Sequence, residues 1–398
     1  MSSGWRTTTL GELERESNGV IQTGPFGSQL HASDYSDVGT PVVMPTNIRD
    51  LRISTHEIAR VSREHVERLS RHKLQPGDIV YSRRGDVEKC ALVTEIENGW
   101  LCGTGCLLVR VGGPTVDARC LAYALALPAT RNWISQHAVG ATMPNLNTGV
   151  LRAVPVYLPP IAEQRSIAAT LGTLDDKIES NRRSVELSLA LLDAISFQQS
   201  AVQPKVPLAS LAQLVKTVAK PATYGDRVVR HYSLPAFDSG ARAERVAASS
   251  VMSNKVALER PAILVSRLNP RFNRTWWVEP EPEKPAFASP EFAMLQASDR
   301  RSLAAVWLAV RDETFREKLI HRAMGTSGSH QRIRPGDMLA IEVPDTRLAS
   351  GDVLDGALLL LDRIESQRRE TEALINVRNA LLPELLSDRI RVPIEEAS

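Results

Sequence analysis

The segment DKIESNRRSVE at residues 176–186 returns as DRIESQRRETE at residues 362–372, and this repetition decides the fold. Seven of the eleven positions are identical, and the two copies lie 186 positions apart. Repetition at a fixed distance indicates a chain built from two similar units. Charged amphipathic helices also resemble one another by composition alone, but here the residues that precede each copy match as well.

Short matches continue upstream of both helical copies and keep the same order. They are VYLP at 156–159 with IEVP at 341–344, Gly140 with Gly325, Ser82-Arg83 with Ser266-Arg267, and Leu10 and Leu13 with Leu211 and Leu214. The offset is 184 or 185 except for the leucine pairs, where it is 201. Each unit therefore consists of a globular module followed by a charged helix, and the second module is the shorter one.

Length and composition agree with a globular protein of two or three domains. The chain has 398 residues, of which 43% are hydrophobic and 24% charged, and a domain takes about 150 residues. We find no secretory signal and no apolar run near the roughly 18 residues that a membrane span needs, so we expect a cytoplasmic protein. Four cysteines lie in the first half, and only Cys102 and Cys106 are close together. Reduced thiols and no metal site are expected.

The cations are mostly arginine, with 39 arginines against nine lysines at a net charge of only +2. A charge this small excludes binding to nucleic acid by bulk attraction. Arginine presents a rigid fork that matches phosphate oxygens and guanine edges, which lysine does not. The codon usage of a GC-rich genome would give the same excess, so arginine abundance leaves both interpretations open.

The modules are predicted to be mostly β. Short apolar runs bounded by Gly and Pro predict strands, and these are TPVVMP (40–45), DIVYSR (78–83), ALVTEI (91–96), LLVRV (107–111) and AILVSR (262–267). A helix is expected over 118–136, interrupted by Pro128, and a matching helix over 302–319. We assign residues 1–158 to the first module and 204–345 to the second, and the fold class is α/β (α+β).

Two long helices are predicted to join the modules, over 159–203 and 346–390, followed by a tail at 391–398. The first begins after Pro159-Pro160 and runs from about 161 to 199. Apolar residues recur at steps of three and four, with Asn181 and Gln367 as polar members at the same place in each copy. The expected positions are Ile167, Leu171, Leu174, Ile178, Val185 and Leu192 in one helix and Leu360, Ile364, Thr371, Leu374 and Leu381 in the other.

This spacing favours an antiparallel coiled coil with pseudo-twofold symmetry over two helices that each pack only on their own module. A paired region of about 30 residues spans roughly 45 Å. One turn of DNA is about 34 Å, which is the distance between the half-sites of dimeric readers. Such a rod could hold two unlike modules over two segments of one duplex, which predicts an asymmetric, split target.

Four stretches resemble the DNA specificity (S) subunit of type I restriction-modification systems. They are TGPFGSQLHASDY (23–35), LQPGDIVYSRRGD (74–86), GATMPNLNTGVL (140–151) and LPPIAEQRSIAATLGTLDDKIESNRR (158–183). The resemblance implies two target recognition domains that each bind part of a split sequence of double-stranded DNA. It also implies that the helices dock two methyltransferase (M) subunits, and that restriction (R) subunits can join. S-adenosylmethionine, ATP and Mg²⁺ would then belong to the partners, with no cofactor in this chain. The alternative is a helical adaptor without DNA readout.

The motifs of the chain give no support for catalysis. There is no GxxxxGK[ST] phosphate loop and no HExxH pair. NPRF at 269–272 is close to the Asn-Pro-Pro-Phe motif of adenine methyltransferases, but Arg271 replaces the second proline. CGTGC at 102–106 is interpreted as a tight turn between strands. We therefore expect a non-catalytic chain.

Residues that could contact DNA lie in loops of both modules. Arginine suits guanine, asparagine and glutamine suit adenine, and small residues let the backbone approach phosphate. Asn145 and Asn147 could instead cap a turn, and Trp276 and Trp277 are expected in the core. The candidates are Gly24, Pro25, Phe26, Gly27, Ser28, Gln29, Arg83, Arg84, Asn145 and Asn147, then Arg267, Asn269, Arg271, Arg274, His330, Gln331, Arg332 and Arg334.

Overall fold

The computed structural model describes residues 4–49, 51–140, 144–281, 284–323 and 331–393. The chain divides into two compact units, unit 1 with residues 1–176 and 375–398 and unit 2 with residues 177–374. Each of the two long helices belongs partly to unit 1 and partly to unit 2. In the described part of the chain, no helix has the length and apolarity needed to cross a membrane.

Unit 1 contains two four-stranded sheets and two two-stranded ones. Their strand orders are β2-β11-β8-β9, β10-β4-β7-β3, β1-β12 and β5-β6. The strands are β1 Arg6–Thr9, β2 Val20–Thr23, β3 Tyr35–Ser36, β4 Thr40–Val43, β5 Ile48–Arg49, β6 Arg52–Ile53, β7 Ala59–Val61, β8 Ile79–Ser82, β9 Cys90–Leu92, β10 Leu101–Cys102, β11 Cys106–Arg110 and β12 Pro155–Leu158. The helices are α1 Leu10–Glu16, α2 Arg63–Arg68, α3 Ala118–Ala126, α4 Pro128–His137, α5 Thr148–Arg152 and the first part of α6 Ile161–Val202.

Unit 2 repeats this plan with a four-stranded and a five-stranded sheet. The orders are β14-β22-β19-β20, β15-β18-β21-β16-β17 and the pair β13-β23. The strands are β13 Lys205–Pro207, β14 Gln213–Leu214, β15 Val218–Ala219, β16 Val228–Tyr232, β17 Glu244–Ala247, β18 Lys255–Ala257, β19 Ala262–Ser266, β20 Thr275–Val278, β21 Ala286–Ala288, β22 Phe292–Gln296 and β23 Glu342–Pro344. The helices are α7 Leu234–Asp238, α8 Arg300–Arg311, α9 Glu313–His321, α10 Pro335–Leu339 and the first part of α11 Gly351–Leu385.

The central strands are uniformly apolar because their sheet is buried on both faces. Successive side chains of a strand point to opposite faces, so Ile79 and Tyr81 of β8 enter one hydrophobic core while Val80 enters another. In unit 2, the side chains of Ile263 and Leu264 of β19 likewise enter two different cores. The predicted correspondence of DIVYSR with AILVSR is confirmed, because β8 and β19 are each third in their sheets.

Two predicted elements are shorter or broken. The strand expected over 91–96 ends at Leu92, because Thr94 caps a 3-10 turn: its amide and hydroxyl donate to Glu97 at 2.8 and 2.7 Å. The helix expected over 302–319 is broken at Asp312 into α8 and α9. Asp312 has extended backbone, and its buried carboxylate is held by the Thr314 hydroxyl and by Lys205 at 3.6 Å. The break at Pro128 in unit 1 is confirmed.

Backbone contacts also correct the alignment of the two modules. The Leu10 amide donates to Val154 O at 3.1 Å, and the Leu208 amide donates to Ile341 O at 2.9 Å. Leu10 is therefore equivalent to Leu208 and not to Leu211. The offset between the matching strands β12 and β23 is likewise two residues larger than the 185 taken from the sequence. Unit 2 has leucines at 208, 211 and 214, and this three-residue spacing allowed the sequence match to slip by one step.

The long helices pair within both units, which confirms the predicted antiparallel coiled coil. In unit 1 the early residues Ile167 and Leu171 of α6 share a core with Leu382 near the end of α11. In unit 2 the late residue Leu192 of α6 shares a core with Leu361 from the first part of α11. Each core also contains residues of its own module, so the helices pack on the modules as well as on each other. The pseudo-twofold relation between the units stays a prediction, as do the domain boundaries.

The predicted seam of α11 is confirmed at Ile364 and Thr371, which are buried, but it is displaced by one residue at both ends. Leu361 and Leu382 are buried, whereas their predicted neighbours Leu360 and Leu381 are only partly buried. Asn181 does lie in the seam, where it is 2% exposed and donates to Glu370 Oε2 at 2.8 Å. This hydrogen bond lowers the pKa of Glu370. A buried amide with a charged partner disfavours other registers of the helix pair.

The first aspartate of each helical repeat forms an ion pair with an arginine of the neighbouring module. Asp176 accepts from Arg52 at 2.7 Å and from Arg119 at 3.5 Å in unit 1. Its equivalent in unit 2, Asp362, pairs with Arg300. Arg119 and Arg300 both lie in the first turn of the first large helix of their module, α3 and α8. The repeated sequence therefore preserves an attachment between module and helix.

The N-cap of α8 gives a stability prediction. Asp299 accepts the Ser302 amide at 2.9 Å, and hydrogen bonds from the hydroxyls of Ser302 and Ser298 lower its pKa to about 2. We expect Asp299→Ala to lower the free energy of unfolding by about 1 kcal/mol at pH 7. Because the folded-state pKa lies below the ordinary value, this stabilisation is present above about pH 4 and is lost as the pH falls towards 2.

Urea unfolding at pH 7 and at pH 3 measures both effects. Asp299→Asn is the matched control, since an asparagine N-cap accepts the same amide and does not titrate. It should keep most of the stability at pH 7 and show a weaker acid dependence than the wild type. Equal losses in the alanine and asparagine variants at pH 7 would contradict the capping role.

Candidate nucleic-acid interface

In unit 1 the predicted contact residues meet where β8 ends. Arg83 and Arg84 follow this strand, and Arg84 forms a backbone bridge with Asn145, which lies between α4 and α5. The Arg83 carbonyl accepts the Leu146 amide at 2.8 Å. Two segments more than fifty residues apart in sequence thus form one surface. Arg84 is exposed, and Arg83 is half-buried.

The loop over residues 24–29 lies beside this surface. Phe26 is 51% exposed, and the Arg83 guanidinium lies over its ring, with 5.8 Å from Cζ to the centroid. Gln29 closes the loop, because its Oε1 accepts the Phe26 amide at 3.1 Å. Gly27 and Ser28 are exposed, so the tip of the loop is open to a ligand.

Gly24 is required for packing within the module and not for a close approach to phosphate. Gly24 and Pro25 are buried, and a Cβ on Gly24 would lie 2.1 Å from the carbonyl oxygen of Gly103. The predicted tight turn at 102–106 is confirmed, and it carries the chain from β10 in one sheet to β11 in the other. Gly24 therefore lets the loop pack against this turn, while Gly27 has open space around it.

The candidate residues Asn145 and Asn147 have different roles. Asn147 Oδ1 accepts the Val150 amide at 2.9 Å and caps α5, which is the structural alternative left open by the sequence. Asn145 forms a backbone pair with Val139, and its Oδ1 is buried with no partner among the described residues. A buried acceptor without a hydrogen-bond partner lowers the stability of the fold.

Unit 2 contains the same construction at the end of β19. The Ser82 hydroxyl donates to Arg84 O at 2.9 Å, and the Ser266 hydroxyl donates to Leu268 O at 2.7 Å. Leu268 forms a backbone bridge with Arg332, as Arg84 does with Asn145. The loops that follow equivalent strands therefore share their backbone plan and differ in their side chains.

Three of the predicted arginines in unit 2 are held by the protein itself. Arg274 forms a bidentate pair with Asp238 at 2.7 and 2.8 Å, and Arg332 pairs with Glu291 at 2.7 Å. Arg267 donates to the carbonyl of Pro290 at 2.9 Å. The charges of Arg274 and Arg332 are partly neutralised by their carboxylate partners, whereas Arg267 binds backbone carbonyls, and all three arginines fix the shape of the loops.

The other candidates of unit 2 are more open. Arg271 and Arg334 are exposed, and neither forms an ion pair with a described residue, nor does Arg84 in unit 1. The Asn269 amide donates to Gln331 O at 2.8 Å, which ties together the two predicted loop segments. His330 lies outside the described residues. Trp276 and Trp277 are each 1% exposed, so the prediction that they belong to the core is confirmed.

Two residues near this surface were missed by sequence reasoning. Phe272 is 52% exposed beside Arg271 and Arg274, and Arg316 of α9 is exposed and donates to Arg271 O at 3.2 Å. An aromatic residue between two arginines, directly after a predicted strand, was the available signal for Phe272. Nothing in the sequence marked Arg316, because α9 reaches this loop only in the folded chain.

The cysteines do not form a metal site. All four are buried free thiols, and burial raises the pKa of Cys90 to about 11 and that of Cys102 to about 12. Buried thiols with a raised pKa stay protonated and unreactive. Among the described residues there is no group of three or more His, Cys, Asp or Glu side chains that could hold a metal ion.

Part of the chain matches a known protein family. Residues 21–187 match the family model of the type I restriction modification DNA specificity domain. This match covers the first module from β2 onward and the first part of α6. The resemblance drawn from the sequence is confirmed.

Two relatives extend this comparison. A stretch of 195 residues is 26% identical to the MjaX type I restriction enzyme specificity subunit of Methanocaldococcus jannaschii, and it covers 46% of this chain and 45% of that protein. The match thus spans about half the length of the curated relative. The crystal structure of a type I restriction-modification system S subunit from M. genitalium aligns with a TM-score of 0.61 and 14% identity, over 100% of this chain and 98% of that one. This shows that the whole chain, beyond the specificity domain, has the same fold.

Proposed function

We propose that this chain is the DNA-binding specificity subunit of a cytoplasmic type I restriction-modification complex, and that its two modules read the two halves of a split, asymmetric target. One observation carries the proposal. The loops that follow β8 and β19 share a backbone plan, with Ser82 and Ser266 bonded to the carbonyl two residues on, yet their exposed side chains differ. A common frame with different side chains suits two readers of different half-sites.

The chemistry of these loops suits a DNA duplex. The exposed guanidinium groups of Arg84, Arg271 and Arg334 can bind phosphates or the O6 and N7 acceptors of guanine. Arg274 and Arg332, already paired with carboxylates, keep the loops in shape so that less conformational entropy is lost on binding. Loops built in this way favour sequence readout over attraction by bulk charge.

The long helices carry a repeated apolar surface that supports the docking of two methyltransferase subunits. Leu187 and Leu191 of α6 are 63% and 51% exposed, and Val377 of α11, equivalent to Leu191 in the repeat, is 47% exposed. We call these three residues the paired stripe. Exposed apolar side chains in register on a helix are typical of a binding face. Because Leu191 and Val377 occupy equivalent positions of the two helices, the stripe suits two copies of one partner.

We also propose that the chemistry belongs to the partners. Adenine methylation would use S-adenosylmethionine held by the M subunits, and any cleavage would use ATP and Mg²⁺ held by R subunits. The NPRF segment supports this division, because Pro270–Phe272 form a single 3-10 turn on an exposed loop. A methyltransferase motif would have to enclose a base in a pocket.

Mapping of methylated adenines in cells tests the proposal. Deletion of the gene should abolish methylation at one split motif completely, and expression of the chain from a plasmid should restore it. In the purified complex with its methyltransferase, binding to that motif should weaken as salt rises, because arginine–phosphate contacts release counterions. A methylation map unchanged by the deletion would refute the proposed function.

A further inference from the structure

The tip of the loop between β19 and β20 is held in an unusual conformation that points an aromatic side chain outward. Asn269 and Asn273 both have left-handed backbone, with φ of 47° and 45°, on either side of the Pro270–Phe272 turn. Left-handed backbone is uncommon for residues other than glycine, and asparagine is one of the residues that adopt it most readily. Between these asparagines, Phe272 is 52% exposed.

Two guanidinium groups cover the Phe272 ring. The Cζ atoms of Arg271 and Arg274 lie 4.8 and 4.7 Å from its centroid. Arg274 cannot move freely, since Asp238 holds it in a bidentate pair. One of the two guanidinium groups against the ring is therefore fixed in place, while about half of the Phe272 side chain stays exposed to a ligand.

Unit 1 contains a similar group built from a different loop. Phe26 is 51% exposed, and the Arg83 guanidinium lies over its ring. Phe26 precedes β3, whereas Phe272 follows β19, so the sequence repeat does not explain the likeness. Each module nevertheless has one phenylalanine in contact with arginine near the end of its equivalent strand, β8 in unit 1 and β19 in unit 2.

We infer that Phe272 determines specificity by contacting the C5 methyl group of a thymine in the major groove. The inference rests on the proposed function and names one base contact within it. The thymine methyl is the apolar group that the major groove displays, and phenylalanine is a side chain that packs against it. Exposed cations beside the ring, Arg271 and Arg316, suit the negative charge of the flanking phosphates. With two guanidinium groups against it, the ring suits contact with a methyl group better than insertion between base pairs, which needs both faces of the ring free.

Deoxyuridine, which lacks only the methyl group, tests the contact. The full chain is purified with its methyltransferase subunit, and binding is measured on duplexes in which each thymine of the methylated motif is replaced in turn. For the wild type, one replacement in one half-site should weaken binding about fourfold, the effect of one buried methyl group. In Phe272→Ala that replacement should have no effect, while all other positions respond as in the wild type.

Val228→Ala is the matched control, because it removes an exposed apolar side chain of the same module (60% exposed) from strand β16. It should keep the wild-type response at every thymine. A thymine profile that Phe272→Ala leaves unchanged would overturn the inference, as would a motif in which no thymine methyl matters. A rise in 2-aminopurine fluorescence on binding that requires Phe272 would also overturn it, in favour of insertion between base pairs.

These outcomes are distinguishable from failure of the proposed function. If the complex methylates its split motif and only the deoxyuridine result fails, the role of Phe272 is wrong and the assignment of the subunit stands. If deletion of the gene leaves methylation unchanged, the proposed function is wrong, and Phe272 has no base to contact.

Discussion

The double substitution Leu187→Glu with Leu191→Glu is expected to remove one of the two methyltransferase subunits that we propose bind this chain. Both side chains are exposed on α6, so the chain itself should fold normally. In a complex they would be buried, and a buried carboxylate without a partner costs several kcal/mol. We therefore expect binding of that subunit to weaken by about 100-fold or more.

Because the two helices carry equivalent surfaces, the prediction can be tested by counting the methyltransferase copies that each variant binds. Val377→Glu changes the equivalent surface of α11 and should also leave one methyltransferase copy bound, whereas the triple variant should bind none. Native mass spectrometry of the purified complex counts the copies directly. Ile96→Glu is the control, since it places the same charge at an exposed position of the first module, where Ile96 is 70% exposed. Two copies bound to the triple variant would show that the paired stripe is not the docking surface.

The second large effect concerns stability of unit 2. Trp276 is 1% exposed and packs against three aromatic rings, with centroid distances of 4.9 Å to Tyr232, 5.7 Å to Phe237 and 6.5 Å to Phe292. Trp276→Ala should lower the free energy of unfolding by about 3–5 kcal/mol, because it removes buried surface and leaves a cavity. Against a typical total of about 5–15 kcal/mol, this loss is severe.

Urea unfolding followed by far-UV circular dichroism measures this loss without relying on tryptophan fluorescence. Trp276→Phe keeps an aromatic ring among the three neighbours and should cost less than half as much. A change below about 1 kcal/mol in Trp276→Ala would mean that the cavity collapses or that unit 2 does not depend on this cluster.

The candidate contact surface was only partly accessible to sequence reasoning. The ends of β8 and β19 were found, because Ser-Arg follows an apolar run in both modules. The acids that neutralise the predicted arginines were not found, because Asp238 and Glu291 lie 36 and 41 residues from Arg274 and Arg332. Charge pairs of this kind follow from tertiary contacts, and no local pattern reports them.

Errors within the fold had local causes. The one-residue shift at the two ends of the α11 seam arose where adjacent leucines, Leu360 with Leu361 and Leu381 with Leu382, satisfy the same spacing rule. The slip at Leu208 arose from leucines repeated every three residues. In both cases several registers bury similar apolar side chains, so packing against the module selects among them.

The sequence by itself determined the duplication, the α/β class and the pairing of two long helices, because these follow from periodic apolar positions and from the repeated segment. Only the tertiary structure decided which side chains face a ligand. It placed Phe272 outward between two left-handed asparagines and covered its ring with Arg271 and Arg274. It also left Leu191 and Val377 exposed while burying Leu192. Periodicity fixes which faces of a helix or strand are apolar, but exposure depends on what the rest of the chain brings against each face.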